Sequence, residues 1–333
     1  MTDPPHAAKR ILIIYYSQSG EVARITKSLA GDLRTAGAEV TREALHPRNK
    51  YPFPWRSLRR FFDAMPESIL GLPPPIDKPK FDPATRYDLV VIAYPVWFLS
   101  PAPPVQGFFK TSAAAVLKGA DVITISVSRS MWHNASETMK RLLAAAGAYH
   151  RDNIVVTHQG SSLATLISTP RALLFGSRDS LMGVFPPAGV SEHDLARVRG
   201  LGRVVAGRLS AASNARRGPL LRGEPAVAIK RWSVVPELLA WYCFYGWAVT
   251  IRALGRMHTG LRALGVYAFA VFLVCLILFG LPATVLAAWL LSPAARHRLN
   301  GYVARLAAPT GLPHPPAAAD HDPAASAGPE GGA

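Results

Sequence analysis

From Arg10 onward, short unbroken apolar runs alternate with segments in which apolar residues recur at helical spacing. Arg10-Ile-Leu-Ile-Ile-Tyr-Tyr16 has no polar face, the mark of a strand buried on both sides. Behind it, Val22, Ile25, Leu29 and Leu33 fall on one face of a helix predicted over Val22 to Ala36, closed by Gly37 at C′. Further strands are predicted at Glu39 to Ala44, Asp88 to Tyr94, Ala120 to Ser126 and Asn153 to Thr157. Helices are predicted at Ala135 to Ala145 and Ser191 to Ala212, the latter with Ser191 as N-cap and Asp194 at N3. Strands alternating with helices specify an α/β fold with a parallel sheet. Five strands in about 160 residues suit a doubly wound sheet of order 2-1-3-4-5.

Pro47 to Pro83 breaks this rhythm. It carries nine prolines in 37 residues, together with Tyr51, Phe53, Trp55, Phe61 and Phe62, where a helix is expected between the second and third strands. Its readings are an irregular cap packing its rings on the sheet, a lid over a lipophilic pocket, or a surface that dips into lipid, with Arg56, Arg59 and Arg60 beside Phe61 and Phe62 suited to an interface.

The chain's end is patterned differently. Ala263 to Ala295 holds 33 residues without a charge, and Leu264 to Leu291 would be about 42 Å long as a helix. A hydrocarbon core of about 30 Å needs roughly 20 residues, so one tilted spanning helix fits, as does a re-entrant hairpin turning at Gly280 to Pro282. Leu238 to Ile251 is uncharged over 14 residues, too short to span, and its Trp241, Tyr242, Tyr245 and Trp247 suit an interfacial helix. Three zones follow: 1–212 as the α/β domain, 213–308 as a basic, apolar membrane-associated region, and 309–333 as a disordered tail. That tail has six Pro, seven Ala and four Gly in 25 positions.

Composition narrows the function classes. Among 333 residues the net charge is +16 and the pI about 10.3, which favours anionic partners. Arginines flank both apolar segments, so anionic lipid accounts for the charge, and no motif speaks for nucleic acid. The two cysteines, Cys243 and Cys275, lie in apolar runs, which excludes a disulfide scaffold and a cysteine-based zinc site; no metal site is expected. Met1 to Arg10 does not read as a signal peptide.

Three loops at carboxyl ends of strands carry the candidate chemistry. Ser17-Gln18-Ser19-Gly20-Glu21-Val22 joins a strand to a helix start, the setting in which backbone N–H groups and the helix dipole hold a phosphate. A plain strand-to-helix turn has the same composition. The loop Tyr94 to Pro104, with Pro95, Val96, Trp97 and Phe98 at its start, follows the third strand near the switch point, where Trp97 offers a flat face and four prolines stiffen the loop. Ser128, Arg129 and Ser130, after the fourth strand, offer donors and a cation. His133 and His158 are candidates for acid–base work, against a simpler reading of each as a surface histidine.

Together these loops resemble the flavodoxin-like superfamily, which binds flavin mononucleotide (FMN). The resemblance implies that Ser17, Gln18, Ser19, Gly20, Glu21 and Val22 form the phosphate loop, although Val22 stands where a further Ser or Thr is usual. It implies that Pro95, Val96, Trp97 and Phe98 flank the flavin ring, with Ser128, Arg129 and Ser130 on its other edge. Flavodoxin carriers are usually acidic, so this basic chain is not expected to be a plain electron carrier.

Tyr51-Pro-Phe-Pro-Trp55, Pro73-Pro-Pro75, Pro101-Ala-Pro-Pro104, Thr169-Pro-Arg171 and Pro186-Pro-Ala-Gly189 further resemble the flavoprotein of dialkylresorcinol and aryl-polyene biosynthesis, often labelled a condensing enzyme. That resemblance implies an oxidoreductase that aromatises a cyclohexanedione-type ring, with a ketosynthase and an acyl carrier protein as partners. No cysteine is placed to condense anything. A membrane-bound NAD(P)H:quinone reductase and a flavin-free scaffold remain as alternatives. In the first two readings the flavin domain is cytoplasmic, the substrate is lipophilic, and NAD(P)H is a second cofactor that no glycine-rich fingerprint demands.

Overall fold

A computed structural model describes residues 8–158, 189–211, 218–289 and 293–307. The expected tail at 309–333 and the motifs Thr169-Pro-Arg171 and Pro186-Pro fall outside the described residues. Five strands form the parallel sheet: β1 (Arg10–Tyr15), β2 (Glu39–Ala44), β3 (Leu89–Trp97), β5 (Asp121–Ser128) and β6 (Tyr149–Thr157). Their order is β2-β1-β3-β5-β6, with a two-residue β4 (Ser100–Pro101) antiparallel to β3. This is the order expected from the sequence, with one small hairpin added.

The helices of this part are α1 (Glu21–Thr35), α2 (Leu58–Asp63), α3 (Met65–Ile69), α4 (Pro103–Phe108), α5 (His133–Ala145) and α6 (Glu192–Ala211). Gly37 has φ +88 and closes α1, with Ala38 N donating to Leu33 O. Ser191 caps α6, accepting from Asp194 N at 2.8 Å.

Alternation along each strand sorts its side chains between two layers. Ile11, Ile13, Val91, Ile123 and Ile125 face α1 and α6, and Leu12, Ile14, Val90, Ile92 and Val122 face the α4–α5 side. The first of these cores does not stop at residue 212. Leu220, Leu221 and Ala226 are buried in it, and Ala226 O accepts from Val155 N of edge strand β6.

Two elements differ from expectation, each for a physical reason. Strand β6 begins at Tyr149 rather than Asn153, because its polar residues find buried partners. Arg151 pairs with Asp121 and donates to Gly218 O, and Asp152 accepts from Leu220 N and Leu221 N. His150 Nε2 and Asn153 Oδ1 both lie 3.0 Å from Thr124 Oγ1. The segment 47–83 contains α2 and α3, which its prolines conceal; Pro66 is harmless in the first turn of α3.

Burial lowers the His150 pKa from 6.5 to about 3. The folded chain therefore keeps this ring neutral while the unfolded chain protonates it below pH 6.5. Its contribution to stability is present above that pH and is lost as the pH falls towards 3, by about 2 kcal/mol between pH 7 and 5. Asp152, raised to about 6 chiefly by burial, acts in the opposite direction. Comparing melting temperatures at the two pH values isolates the histidine: a His150→Gln variant is expected to lose less stability on acidification than the wild type. Equal losses would remove His150 as the cause.

The C-terminal part contains α7 (Arg231–Met257), α8 (Thr259–Cys275), a π-helical turn (Leu276–Gly280), α9 (Leu281–Trp289) and α10 (Pro293–Ala307). The short interfacial helix expected at Leu238–Ile251 is part of the 27-residue α7. No reversal occurs at Gly280–Pro282, because helix runs from Thr259 through Ala287; the hairpin alternative is excluded. Both helices are long and apolar enough to cross a membrane, and only 33% and 17% of their most apolar windows are buried. A soluble core helix would be mostly buried.

These helices dock on the insertion. Phe62, Met65, Ile69 and Leu99 form a core with Phe244, Ala248, Ile251, Val266 and Phe269. Arg262 of α8 grips Asp63 at 2.7 Å and Glu67 at 3.1 Å, while Arg252 of α7 reaches Glu67 at 3.3 Å.

Candidate functional site

The loop after β1 is held from three sides. Ser17 Oγ accepts from Ala23 N at 3.1 Å and so caps the first turn of α1. Gln18 Nε2 donates to Pro52 O at 2.7 Å, tying the loop to the insertion. Gly20 sits in the left-handed region at φ +89, a conformation that strains any side-chain-bearing residue, and no atom lies within 4 Å of where its Cβ would be. Glu21, the first residue of α1, lies 3.2 Å from His158 Nε2 at the end of β6.

The loop after β3 turns sharply. Phe98 (φ 48) and Leu99 (φ 63) are both left-handed, which folds Trp97 back onto Ser100 and makes the β3–β4 hairpin. Non-glycine residues in such a turn are strained, and surrounding contacts must hold them. Here Ser68 Oγ donates to Trp97 O at 3.1 Å, and rings surround the indole. Tyr16, Tyr51 and Trp55 meet Trp97 edge-on, with centroids 5.9, 5.0 and 5.7 Å away. Burial raises the Tyr16 phenol above its ordinary pKa and Tyr51 to about 12, so both are hydrogen-bond donors at neutral pH.

The loop after β5 ends at α5, whose N-cap position is Trp132, a side chain that makes no cap bond. A carboxylate from α7 does the capping. Fully buried Glu237 accepts from Trp132 N at 3.1 Å, from Asn134 N at 2.8 Å and from His133 Nδ1 at 2.5 Å.

The three loops open on one cavity of about 1160 Å³. Gln18, Ser19, Glu21 and Val22 line it, as do Pro95 to Leu99, Val127 to Met131, and His158. Trp55, Phe61 and Phe62 of the insertion form another wall, and α7 to α9 form the far end. Of the expected residues, Ser17 and Gly20 do not themselves line it. His133 is outside it, bound to Glu237, and only 2% exposed rather than a surface histidine. His158 lines the cavity with its side chain 14% exposed, again not a surface position.

Two features mark this end as a place for a polar or anionic ligand. Arg129 faces the cavity without a carboxylate partner among the described residues, and burial alone pulls its pKa down to about 9. Ser128 Oγ and His158 Nδ1 are buried and have no hydrogen-bond partner among the described residues. Such groups cost free energy unless a ligand or water satisfies them.

The aromatic wall comes from the segment for which a lid over a lipophilic pocket is one of the sequence readings, although its residues are not among the expected cofactor contacts; the far end formed by α7 to α9 was not foreseen. Glu237 was also overlooked, though it carries a signal: it is the sole acidic residue between Pro225 and Ala308.

No protein-family model matches this chain, and no curated protein matches it significantly. Solved structures with a similar trace include a flavoprotein in complex with FMN from Lactobacillus acidophilus, 22% identical over 45% of this chain and 93% of that one, at TM-score 0.34. Another is a WrbA-like flavodoxin from Agrobacterium tumefaciens, 14% identical over 62% of this chain and 100% of that one, at TM-score 0.35. A flavodoxin from the domain Archaea is 9% identical over 60% of this chain and 99% of that one, at TM-score 0.34.

Proposed function

We propose that this chain is a membrane-seated, FMN-dependent oxidoreductase that dehydrogenates a lipophilic ring, converting a cyclohexanedione-type ring to a dialkylresorcinol. The observation that carries the reading is the continuity of the cavity. One space runs from the loops at the carboxyl edge of the sheet to the interior of a helix pair fit for lipid. At about 1160 Å³ it exceeds the 300–1,000 Å³ typical of a single small-molecule site, which leaves room for a cofactor and a substrate together.

The residues present suit the cofactor. Gly20 leaves open space at the start of α1, where backbone N–H groups and the helix dipole favour a phosphate. On the opposite loop Arg129 supplies a cation and Ser128 a hydroxyl, neither of them paired among the described residues. Glu21 adds a carboxylate near the same helix end, held 3.2 Å from His158 Nε2. When bound, FMN supplies a two-electron acceptor for hydride.

The chain's own residues do the rest. Trp97, fixed by three rings, borders the ring-binding space. His158, oriented through Nε2 by Glu21, presents Nδ1 to take the proton released beside a ring carbonyl. Phe61, Phe62 and the apolar helices keep water from the reacting atoms.

Titrating purified, flavin-stripped protein with FMN tests the reading. Wild type is expected to turn yellow with saturable binding. Gly20→Asp is expected to abolish saturation, through a strained φ and a carboxylate in the anion site. Binding unaffected by this change would displace the phosphate site, and absence of any FMN binding would remove the function. Turnover of NAD(P)H with a quinone, without ring dehydrogenation, would reverse the direction assigned.

A further inference from the structure

Helix α8, the π turn and α9 have an unusual division of faces. Leu273, Leu276, Ile277, Gly280, Leu281, Thr284 and Val285 line the cavity at helical spacing. The opposite face is also apolar: Val271, Val274, Leu278 and Phe279 are 55–72% exposed. Neither face is made for water. The outer one suits lipid acyl chains, and the inner one suits something equally apolar but enclosed.

The inner face is shaped by its backbone. The π turn Leu276–Gly280 places Leu276, Ile277 and Gly280 together on the cavity wall. Leu276 Cδ1 packs into the space beside Gly280, where a Cβ would come within 2.6 Å of it. Across the space stand Leu239, Ala240 and Phe244 of α7. Among the described residues no carboxylate lines this end, and the one cation there, Lys230, lies near Trp232 just before the start of α7.

We propose that this end of the cavity is an alkyl-chain arm. It receives one unbranched chain carried by the reacting ring, and the π turn at Leu276–Gly280 sets the chain length accepted. The proposal rests on the oxidoreductase reading for the identity of the ring, but the arm itself is a statement about apolar binding. Chain and ring then enter from the bilayer side, and the ring stops at the polar end, where Arg129, Ser128 and His158 stand.

Photo-crosslinking separates this from the flavin chemistry, because it is read on flavin-free protein in lipid nanodiscs. The probes are resorcinols bearing a butyl or a dodecyl chain with a terminal diazirine. The dodecyl probe is expected to label the peptide 273–286 on its inward residues. Ile277→Trp, which fills the arm, is expected to cut that labelling about tenfold, the scale on which overpacking excludes a ligand. The butyl probe is expected to lose nothing at its own site. Leu278→Trp, on the exposed face of the same turn, is the control and is expected to label like wild type; Val285→Phe replaces Ile277→Trp if that variant does not fold. Labelling confined to Val271, Val274 and Leu278 would overturn the arm, since it reports only annular contact. Equal labelling of the inward residues by a diazirine phosphatidylcholine that the dodecyl probe cannot displace would also overturn it, making the space a structural lipid site. Labelling as expected in a protein that binds no FMN would leave the arm standing and remove the oxidoreductase.

Discussion

Glu237→Ala is expected to destabilise the protein by about 3–5 kcal/mol, the range seen when one partner of a buried charged network is removed. Three groups lose their acceptor at once: Trp132 N, Asn134 N and the His133 ring. All lie at the N-terminus of α5, where the helix dipole favours a carboxylate and no local side chain replaces it. Glu237→Gln keeps an acceptor oxygen but loses the charge and presents an NH2 to N–H donors, so it is expected to recover only part of the loss. Thermal or urea melts of the detergent-solubilised full chain measure both. Amide exchange at 132–136 should accelerate in step. FMN affinity should also fall, because Ser128, Arg129 and Ser130 lead directly into this cap. An alanine variant with wild-type melting and exchange would show that another group caps α5.

This contact explains why the site was only half legible in the sequence. The loops after β1, β3 and β5 could be read, since each follows an unbroken apolar strand and carries residue types with a recognisable task. The far wall could not. It exists because α7 to α9 fold back on the insertion, and the Glu237–His133 pair joins residues 104 apart. Local pattern holds no trace of such a pairing, apart from the oddity of a lone acid in a long basic and apolar stretch. The fold shows the same division. Strand β1 and helix α1 declare themselves by apolar run and periodicity, whereas the first half of β6 reads as polar because His150, Arg151 and Asp152 are satisfied by Thr124, Asp121 and the backbone at 218–221. Helices α2 and α3 were concealed by the prolines around them, although α2 itself has none and α3 tolerates Pro66 in its first turn.

The same docking makes a firm expectation about truncation. A chain ending at Lys230 retains the five-stranded sheet, α6, and the segment with Leu220, Leu221 and Ala226 that completes the first core. Sequence pattern alone would expect a well-behaved soluble domain. The structure argues otherwise, because the cut strips the partners from Phe62, Met65, Ile69 and Leu99, none more than 9% exposed in the full chain. Exposing four such side chains costs roughly 6–10 kcal/mol, comparable with the whole stability of an ordinary domain. Loss of Glu237 adds to that. The shortened chain is therefore expected to aggregate, or to yield a loosened domain with weak FMN affinity. The full chain, by contrast, should stay with membranes through a wash at about 1 M salt, where the Debye length is about 3 Å and arginine clusters alone would release. Fractionation and gel filtration measure both. A soluble, monodisperse 1–230 that binds FMN like the full chain would show that α7 and α8 merely anchor the domain, and that the insertion's apolar face can find other cover.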